Sequence, residues 1–206
     1  MGSSGDKPLV VHSTNFEDLK AEYTMDFSHL VIKPERMVDV VRQKTKIETY
    51  RTRYAEVEVM TKVPWYLTGA IHLRESDQNF HAWLHNGDPM YNHNGVPVRT
   101  THEPSGRPHN PHVSWEEGCL DAYREAGLLD ISDWSNIARV AWAAERYNGF
   151  GPRLYHNILP SYLYGATNLQ MPGKYTRDKF YDPTVMDGQV GVMAIFKLIL
   201  GEGMRA

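Results

Sequence analysis

Residues 64–76 of this chain, PWYLTGAIHLRES, form a segment that is mostly apolar and ends in charged residues. Pro64 suits the first position of an α-helix, because its fixed φ angle fits a helix and its missing N–H is not needed there. Leu67, Ile71 and Glu75 follow at intervals of four residues, so they share one face of that helix. Burial at the end of an apolar stripe would raise the pKa of a carboxyl group. Glu75 is therefore a candidate general acid, although a solvated or salt-bridged glutamate has the same spacing.

Helical periodicity continues on both sides of this segment. Upstream, apolar residues recur at three- and four-residue steps over residues 37–60 and predict one long amphipathic helix. Downstream, Ser114 and Glu117 have the spacing of a capping box, and Gly127 suits the end of the helix that they open. Two further helices are predicted at 134–147, stopped by Gly149 and Gly151, and at 190–200, which is apolar nearly all round as a buried central helix would be.

A polar region, residues 86–111, separates these helices and is rich in Asn, Gly, Pro and His. It is predicted to be a loop with at most a small β-hairpin near 96–101. Residues 1–14 show no clear period and are predicted to be a flexible tail, with 15–206 as a single domain. The predicted fold class is therefore mainly α, with a central buried helix and little β-structure.

The composition argues against several classes of function. The net charge is −3 without a run of Lys or Arg, so neither nucleic acid nor an anionic membrane is a predicted partner. No stretch approaches the roughly 18 apolar residues of a membrane span. The single cysteine, Cys119, excludes an intramolecular disulfide. Five Trp and twelve Tyr would suit a sugar-binding groove, and Tyr155, Tyr162, Tyr164 and Tyr175 are candidate platforms, with packing in the core as the alternative.

Glycoside hydrolysis usually needs a second carboxylate, about 6.5–9.5 Å from the acid in inverting enzymes and about 5–5.5 Å in retaining ones. Asp88 is the candidate, because its loop is expected to fold back beside the end of the Glu75 helix. Asp88 would also suit an Asx turn before Pro89. Glu103 is a weaker candidate in the same loop region.

Four segments carry a resemblance to known enzymes. His72-Leu73-Arg74-Glu75-Ser76 resembles the catalytic Glu-Ser motif of goose-type lysozymes and soluble lytic transglycosylases, and Tyr147-Asn148-Gly149-Phe150-Gly151 resembles their cleft-lining Tyr-Asn segment. Together with LHNGDP at 84–89 and GKY at 173–175, residues 64–200 look like phage and bacterial endolysin-type lysozymes. The Gly-Leu-Met-Gln segment usual in the superfamily does not occur in this sequence.

The resemblance implies a lysozyme-like α+β domain that hydrolyses peptidoglycan glycan strands between N-acetylmuramic acid and N-acetylglucosamine. It implies Glu75 as the acid and Asp88 as the water-activating base, without a metal or other cofactor. The substrate-binding residues expected from the motifs and the tyrosine pattern are Ser76, Tyr147, Asn148, Gly149 and Tyr155. A monomer is expected, which accumulates in the host cytoplasm and acts on the wall after release.

Three other functions remain open from the sequence. A lytic transglycosylase would use the same glutamate, while the 6-hydroxyl of the sugar attacks. A zinc-dependent peptidoglycan amidase or peptidase is suggested by His81 and His85, which stand four residues apart as helical metal ligands often do. A non-catalytic wall-binding or virion protein would keep the fold without the chemistry.

Overall fold

A computed structural model describes residues 10–177 and 180–201 of the protein. The described residues form nine α-helices, one 3-10 helix and one antiparallel β-hairpin, so the predicted mainly α class is confirmed. The helices are α1 (Phe16–His29), α2 (Met37–Thr49), α3 (Arg51–Thr61), α4 (Trp65–Ser76), α5 (Trp115–Glu125), α6 (Ile137–Asn148), α7 (Gly151–His156), α8 (Ser161–Tyr164) and α9 (Val192–Leu200), with the 3-10 helix at Pro34–Arg36. The strands are β1 (Lys174–Arg177) and β2 (Phe180–Asp182).

Side-chain caps fix several helix ends where the sequence predicts them. The capping box of α5 is complete, because Ser114 accepts a hydrogen bond from the Glu117 backbone and the Glu117 side chain accepts one from the Ser114 backbone. Gly127, just beyond α5, has a φ of +67°, which a glycine adopts without strain. Asn136 caps α6 by accepting from the Ala138 N–H, so this helix begins three residues later than the apolar spacing indicated.

The centre of the fold is α4, whose residues 66–73 are all buried. It packs against α2, α3, α6 and α9. Helices α4 and α2 lie close together at Gly69, where a Cβ atom would be 2.5 Å from Ile47 Cγ2. The predicted central helix, α9, is buried over residues 192–196 and only partly buried beyond them. The helix that carries Glu75 is therefore held on several sides.

Two local features differ from the sequence prediction. The long helix expected over residues 37–60 is interrupted at Tyr50, whose backbone leaves the helical conformation, and forms α2 and α3. The hairpin lies at β1 and β2, whereas the described pairing within 86–111 is limited to a single bridge between Tyr91 and Pro97. Side-chain hydrogen bonds, rather than paired strands, stabilise that loop. Asn92, for example, accepts hydrogen bonds from two backbone N–H groups.

The end of the predicted flexible tail is packed on the body of the protein. Val10 is only 9% exposed and belongs to the core. The Val11 N–H donates to Glu22 Oε2 at 2.6 Å, and the Val11 carbonyl accepts from Arg153. These contacts correct the prediction for residues 10 and 11, whereas residues 1–9 lie outside the described residues.

A buried ion network fixes α6, whose last residues border the candidate site. Arg153 of α7 is fully buried and donates to Glu22 of α1 at 2.6 Å and to Glu145 of α6 at 2.8 Å. Tyr23 also donates to Glu145, at 2.7 Å. Because a buried charge without its partner is costly, this network couples the positions of α1, α6 and α7.

Within residues 10–177 and 180–201, no helix combines the length and apolar character needed to cross a membrane.

Candidate active site

Glu75 lies in the last turn of α4 and is partly buried. The Tyr162 hydroxyl donates to Glu75 Oε1 at 2.9 Å. Burial raises the pKa of Glu75 to about 7, because the hydrogen bond from Tyr162 and the charge of Arg74 offset the loss of solvation only in part. A substantial fraction of Glu75 therefore carries a proton at neutral pH, which is the state that a general acid needs.

Glu75 opens into a cleft of about 370 Å³. The cleft is lined by residues from α4, from the end of α6 and from two loops between these helices. The first loop contributes His85 and Asn86, the second contributes Glu103 and Pro104, and the helices contribute Glu75, Tyr147 and Asn148. The first loop lies directly on the end of α4, because a Cβ atom at Gly87 would overlap the Glu75 carbonyl oxygen. Gly87 also has a φ of +79°, so both space and backbone conformation require a glycine there.

The end of α6 supplies the wall opposite this loop. The Tyr147 hydroxyl donates to the Leu84 carbonyl at 2.7 Å, which joins α6 to the loop and leaves the Tyr147 ring against the cleft. Asn148 is exposed, and its side chain is therefore accessible to a ligand. Gly149 ends the helix with a φ of +93°. The structure thus brings Tyr147 and Asn148 to the same cleft as Glu75, and their contact with a substrate stays a prediction.

Asp88 makes a set of hydrogen bonds that the sequence did not suggest. Its Oδ2 atom accepts from the Thr101 N–H, the Thr101 hydroxyl and the His102 N–H at 2.6, 3.1 and 2.9 Å, and its Oδ1 atom lies 2.6 Å from His102 Nδ1. Burial alone would raise the pKa of Asp88, but these hydrogen bonds outweigh burial and lower it to about 2. These contacts argue against Asp88 as the water-activating base, because its carboxylate is occupied in anchoring residues 101 and 102, and its catalytic role stays a prediction.

Glu103 is the second carboxylate that the structure brings to the cleft. Its side chain is exposed and lines the same cavity as Glu75. The Asn86 side-chain amide donates to the carbonyls of His102 and Glu103, at 2.9 and 3.3 Å, and so holds this part of the loop over the cleft. The sequence offered no reason to prefer Glu103 to Asp88, because both lie in the same polar region.

Three predicted binding residues lie outside the set that lines the cleft: Ser76, Gly149 and Tyr155. The Ser76 hydroxyl donates back to the His72 carbonyl of its own helix, at 3.4 Å. Tyr155 is 76% exposed on α7, near Gly151 rather than beside Glu75. Tyr162 was predicted only as a sugar platform or a packed residue, and its contact with Glu75 was missed, because the two residues are far apart in the chain.

The histidines of the zinc interpretation have other surroundings. His81 is exposed, and His85 is buried with Nε2 2.9 Å from Asp121. Residues 79–87 form turns rather than the helix that would align the two rings. In the part of the chain that the structure describes, no group of three or more His, Cys, Asp or Glu side chains is placed to hold a metal ion.

Comparison with known proteins gives no matching family model, no matching curated protein and no matching solved structure. The cleft, the raised pKa of Glu75 and the motifs around them are therefore the features from which a function can be inferred.

Proposed function

We propose that this protein cleaves the glycan strand of peptidoglycan, with Glu75 as general acid. The observation that carries the proposal is a partly buried glutamate whose pKa is raised to about 7 and which opens into a cleft. A protonated carboxyl group beside a groove is the requirement for donating a proton to a glycosidic oxygen. The resemblance of residues 72–76 and 147–151 to lysozyme motifs indicates the polymer.

In the proposed hydrolysis, Glu75 donates its proton to the glycosidic oxygen as the bond from that oxygen to the sugar C1 breaks. Water adds to C1, and its proton passes to a carboxylate. Glu103 takes this second role, because it borders the same cleft and is exposed to solvent. Tyr162 holds Glu75 Oε1, which leaves Oε2 to carry the proton.

A lytic transglycosylase is the second candidate, and the position of Asp88 favours it. With Asp88 occupied by Thr101 and His102, Glu75 is the one carboxyl group near the cleft with a raised pKa among the residues that the structure describes. A single glutamate is sufficient when the 6-hydroxyl of the muramic sugar attacks C1, since the glutamate then acts first as acid and then as base. The two reactions differ in their products, which carry either reducing ends or 1,6-anhydro sugars.

The cellular setting belongs to the same proposal. The protein would accumulate in the cytoplasm of a host cell and reach the wall after a separate protein permeabilises the membrane. A non-catalytic wall-binding protein would bind the same strands without cutting them, and a zinc-dependent amidase would release peptides.

The test compares wild type, Glu75→Gln and Glu103→Gln on purified peptidoglycan without added metal. Turbidity gives the rate, and mass spectrometry of the fragments gives the chemistry. Glu75→Gln keeps the size of the side chain but cannot donate a proton, so we expect a loss of roughly 10²- to 10⁴-fold. Glu56→Gln, an exposed position on α3, is the matched control and should retain full activity.

The outcomes separate the candidates. A large loss in both Glu75→Gln and Glu103→Gln with reducing-end products supports the hydrolase. A large loss in Glu75→Gln alone with anhydro products supports the transglycosylase. Undiminished lysis by Glu75→Gln would contradict both, and released peptides together with chelator sensitivity would indicate the amidase.

A further inference from the structure

A second, smaller cavity of about 90 Å³ adjoins the candidate active site. Tyr162 connects the two, since its hydroxyl donates to Glu75 and its ring packs against the guanidinium of Arg74, 4.9 Å from the ring centre. Asn148 also connects them, because it lines both cavities. The residues of the small cavity that matter here are Arg74, Asn148, Tyr162, Lys174, Tyr175 and Asp187.

The small cavity carries an excess of positive charge. Arg74 and Lys174 share one carboxylate, because Asp187 lies 2.8 Å from Arg74 Nη2 and 2.8 Å from Lys174 Nζ. Asp187 stays ionised: burial would raise its pKa, but the charge of Arg74 and the hydrogen bond from Lys174 lower it to about 2. Two cations against one anion leave a net charge of +1 beside the cleft.

Donors in this cavity remain available among the described residues. The Arg74 side chain is only 6% exposed, and its buried Nε has no hydrogen-bond partner in the part of the chain that the structure describes. Lys174 has three N–H donors, of which Asp187 takes one within that same part, and its side chain is 33% exposed. A cation with an unused N–H donor favours an anionic group beside it, because the hydrogen bond between the two is charge-assisted.

The size of the cavity restricts what can fill it. At about 90 Å³, against about 370 Å³ for the cleft at Glu75, it is the smaller of the two spaces. Its cationic lining suits a carboxylate group, and the larger cleft is better suited to a sugar ring. A ligand that lies along Glu75 and passes Asn148 would reach this cavity with a substituent rather than with its backbone.

We infer that the cavity formed by Arg74, Lys174 and Asp187 is a carboxylate-binding subsite for an acidic substituent of the glycan strand. The inference rests on the proposed function and adds a preference for strands that carry carboxylates over uncharged ones. Peptidoglycan offers this group in two forms: the lactyl carboxylate of a muramic sugar without peptide, and the carboxylates of a stem peptide. Lys174 is the binding residue to test, because it is the more exposed of the two cations.

The test measures binding rather than cleavage, in the Glu75→Gln background, by calorimetry with three ligands. These are strands that carry stem peptides, strands freed of peptide that expose lactyl carboxylates, and oligomers of N-acetylglucosamine, which are uncharged. Lys174→Met should weaken binding of a carboxylate-bearing strand by about tenfold and leave the uncharged oligomer unchanged. Lys174→Arg, which keeps the charge, should restore binding, and Lys20→Met, at an exposed position on α1, should have no effect.

Each outcome is decisive. A loss confined to peptide-bearing strands identifies the stem peptide as the source, a loss confined to peptide-free strands identifies the lactyl group, and a loss with both shows that either is accepted. Equal binding by Lys174→Met and its parent, or an equal loss with all three ligands, would overturn the subsite while leaving the proposed function intact. Failure of the parent to bind any of the three glycans would overturn the proposed function and the subsite together.

Discussion

Glu75 and Asp88 are two acidic residues near the same loop, and their surroundings shift their pKa values in opposite directions. Glu75 receives a hydrogen bond from one phenol and is otherwise desolvated, and its pKa is raised to about 7. Asp88 is contacted by four hydrogen-bonding groups of Thr101 and His102, and its pKa is lowered to about 2. The difference lies in the number of donors that face each carboxylate, and it is the reason why we propose Glu75 rather than Asp88 as the proton donor.

The largest effect that we expect from this difference between Glu75 and Asp88 is a change in the stability of Glu75→Gln. The folded protein holds the Glu75 proton up to about pH 7, whereas the unfolded chain releases it near 4.5, so the wild type loses stability as the pH rises between these values. The shift corresponds to about 3 kcal/mol. Glu75→Gln should therefore be more stable than wild type by that order at pH 8 and equally stable at pH 4, as measured by urea unfolding at both pH values.

The exposed Glu56→Gln is the control for this measurement and should change stability at neither pH. A Glu75→Gln variant that is less stable than wild type at pH 8 would mean that Glu75 is ionised and paired in the folded protein.

A smaller change in stability, of opposite sign, is expected for Asp88→Asn. The folded-state pKa of about 2 lies below the model-peptide value of 3.8, so the ionised carboxylate stabilises the fold above pH 3.8, and this stability is lost as the pH falls towards 2. Asp88→Asn should be destabilised by about 2 kcal/mol at pH 7, and the difference should shrink below pH 3. Asp130→Asn, at an exposed position, is the control. Unchanged stability together with lost activity would return Asp88 to the catalytic role.

The smallest effect is a displacement of the pH–rate profile in Tyr162→Phe. The Tyr162 hydroxyl favours the ionised form of Glu75, so its removal should raise the pKa of Glu75 and move the basic limb of the profile to higher pH. Tyr164→Phe is a matched control, because the Tyr164 hydroxyl donates to Asp26 from the same helix, α8. A basic limb that stays in place in Tyr162→Phe would show that this bond does not tune the acid.

Local signals in the sequence were sufficient for much of the fold. The capping box at Ser114 and Glu117, the glycine at 127 and the helix that ends at Gly149 all depend on neighbours within a few residues. The interruption at Tyr50 was not predicted, because the apolar spacing continues through it. The hairpin was not predicted either, and the structure shows that its residue Tyr181 stacks on His156 of α7, a contact outside the hairpin itself.

The same distinction between local signals and long-range contacts applies to the candidate site. Glu75 could be named as a candidate from an apolar stripe on its own helix, which is local information. That spacing alone favours a solvated glutamate, and the resemblance of residues 72–76 to the Glu-Ser motif was needed to prefer the catalytic role. The donors that occupy Asp88 come from residues 101 and 102, and the phenol on Glu75 comes from residue 162. The Tyr162 contact joins residues 87 positions apart, and the Asp88 contacts span 13 and 14 positions within a loop, so the sequence alone could name carboxylates but could not assign their roles.

The most direct test is to titrate the side-chain carboxyl groups of Glu75 and Asp88 in one sample by carbon-detected NMR, with Glu75→Gln and Asp88→Asn to assign the two signals. The account predicts a midpoint near pH 7 for Glu75 and one near pH 2 for Asp88. A midpoint for Glu75 near 4.5 would contradict the account, because the residue would then carry no proton to donate at neutral pH.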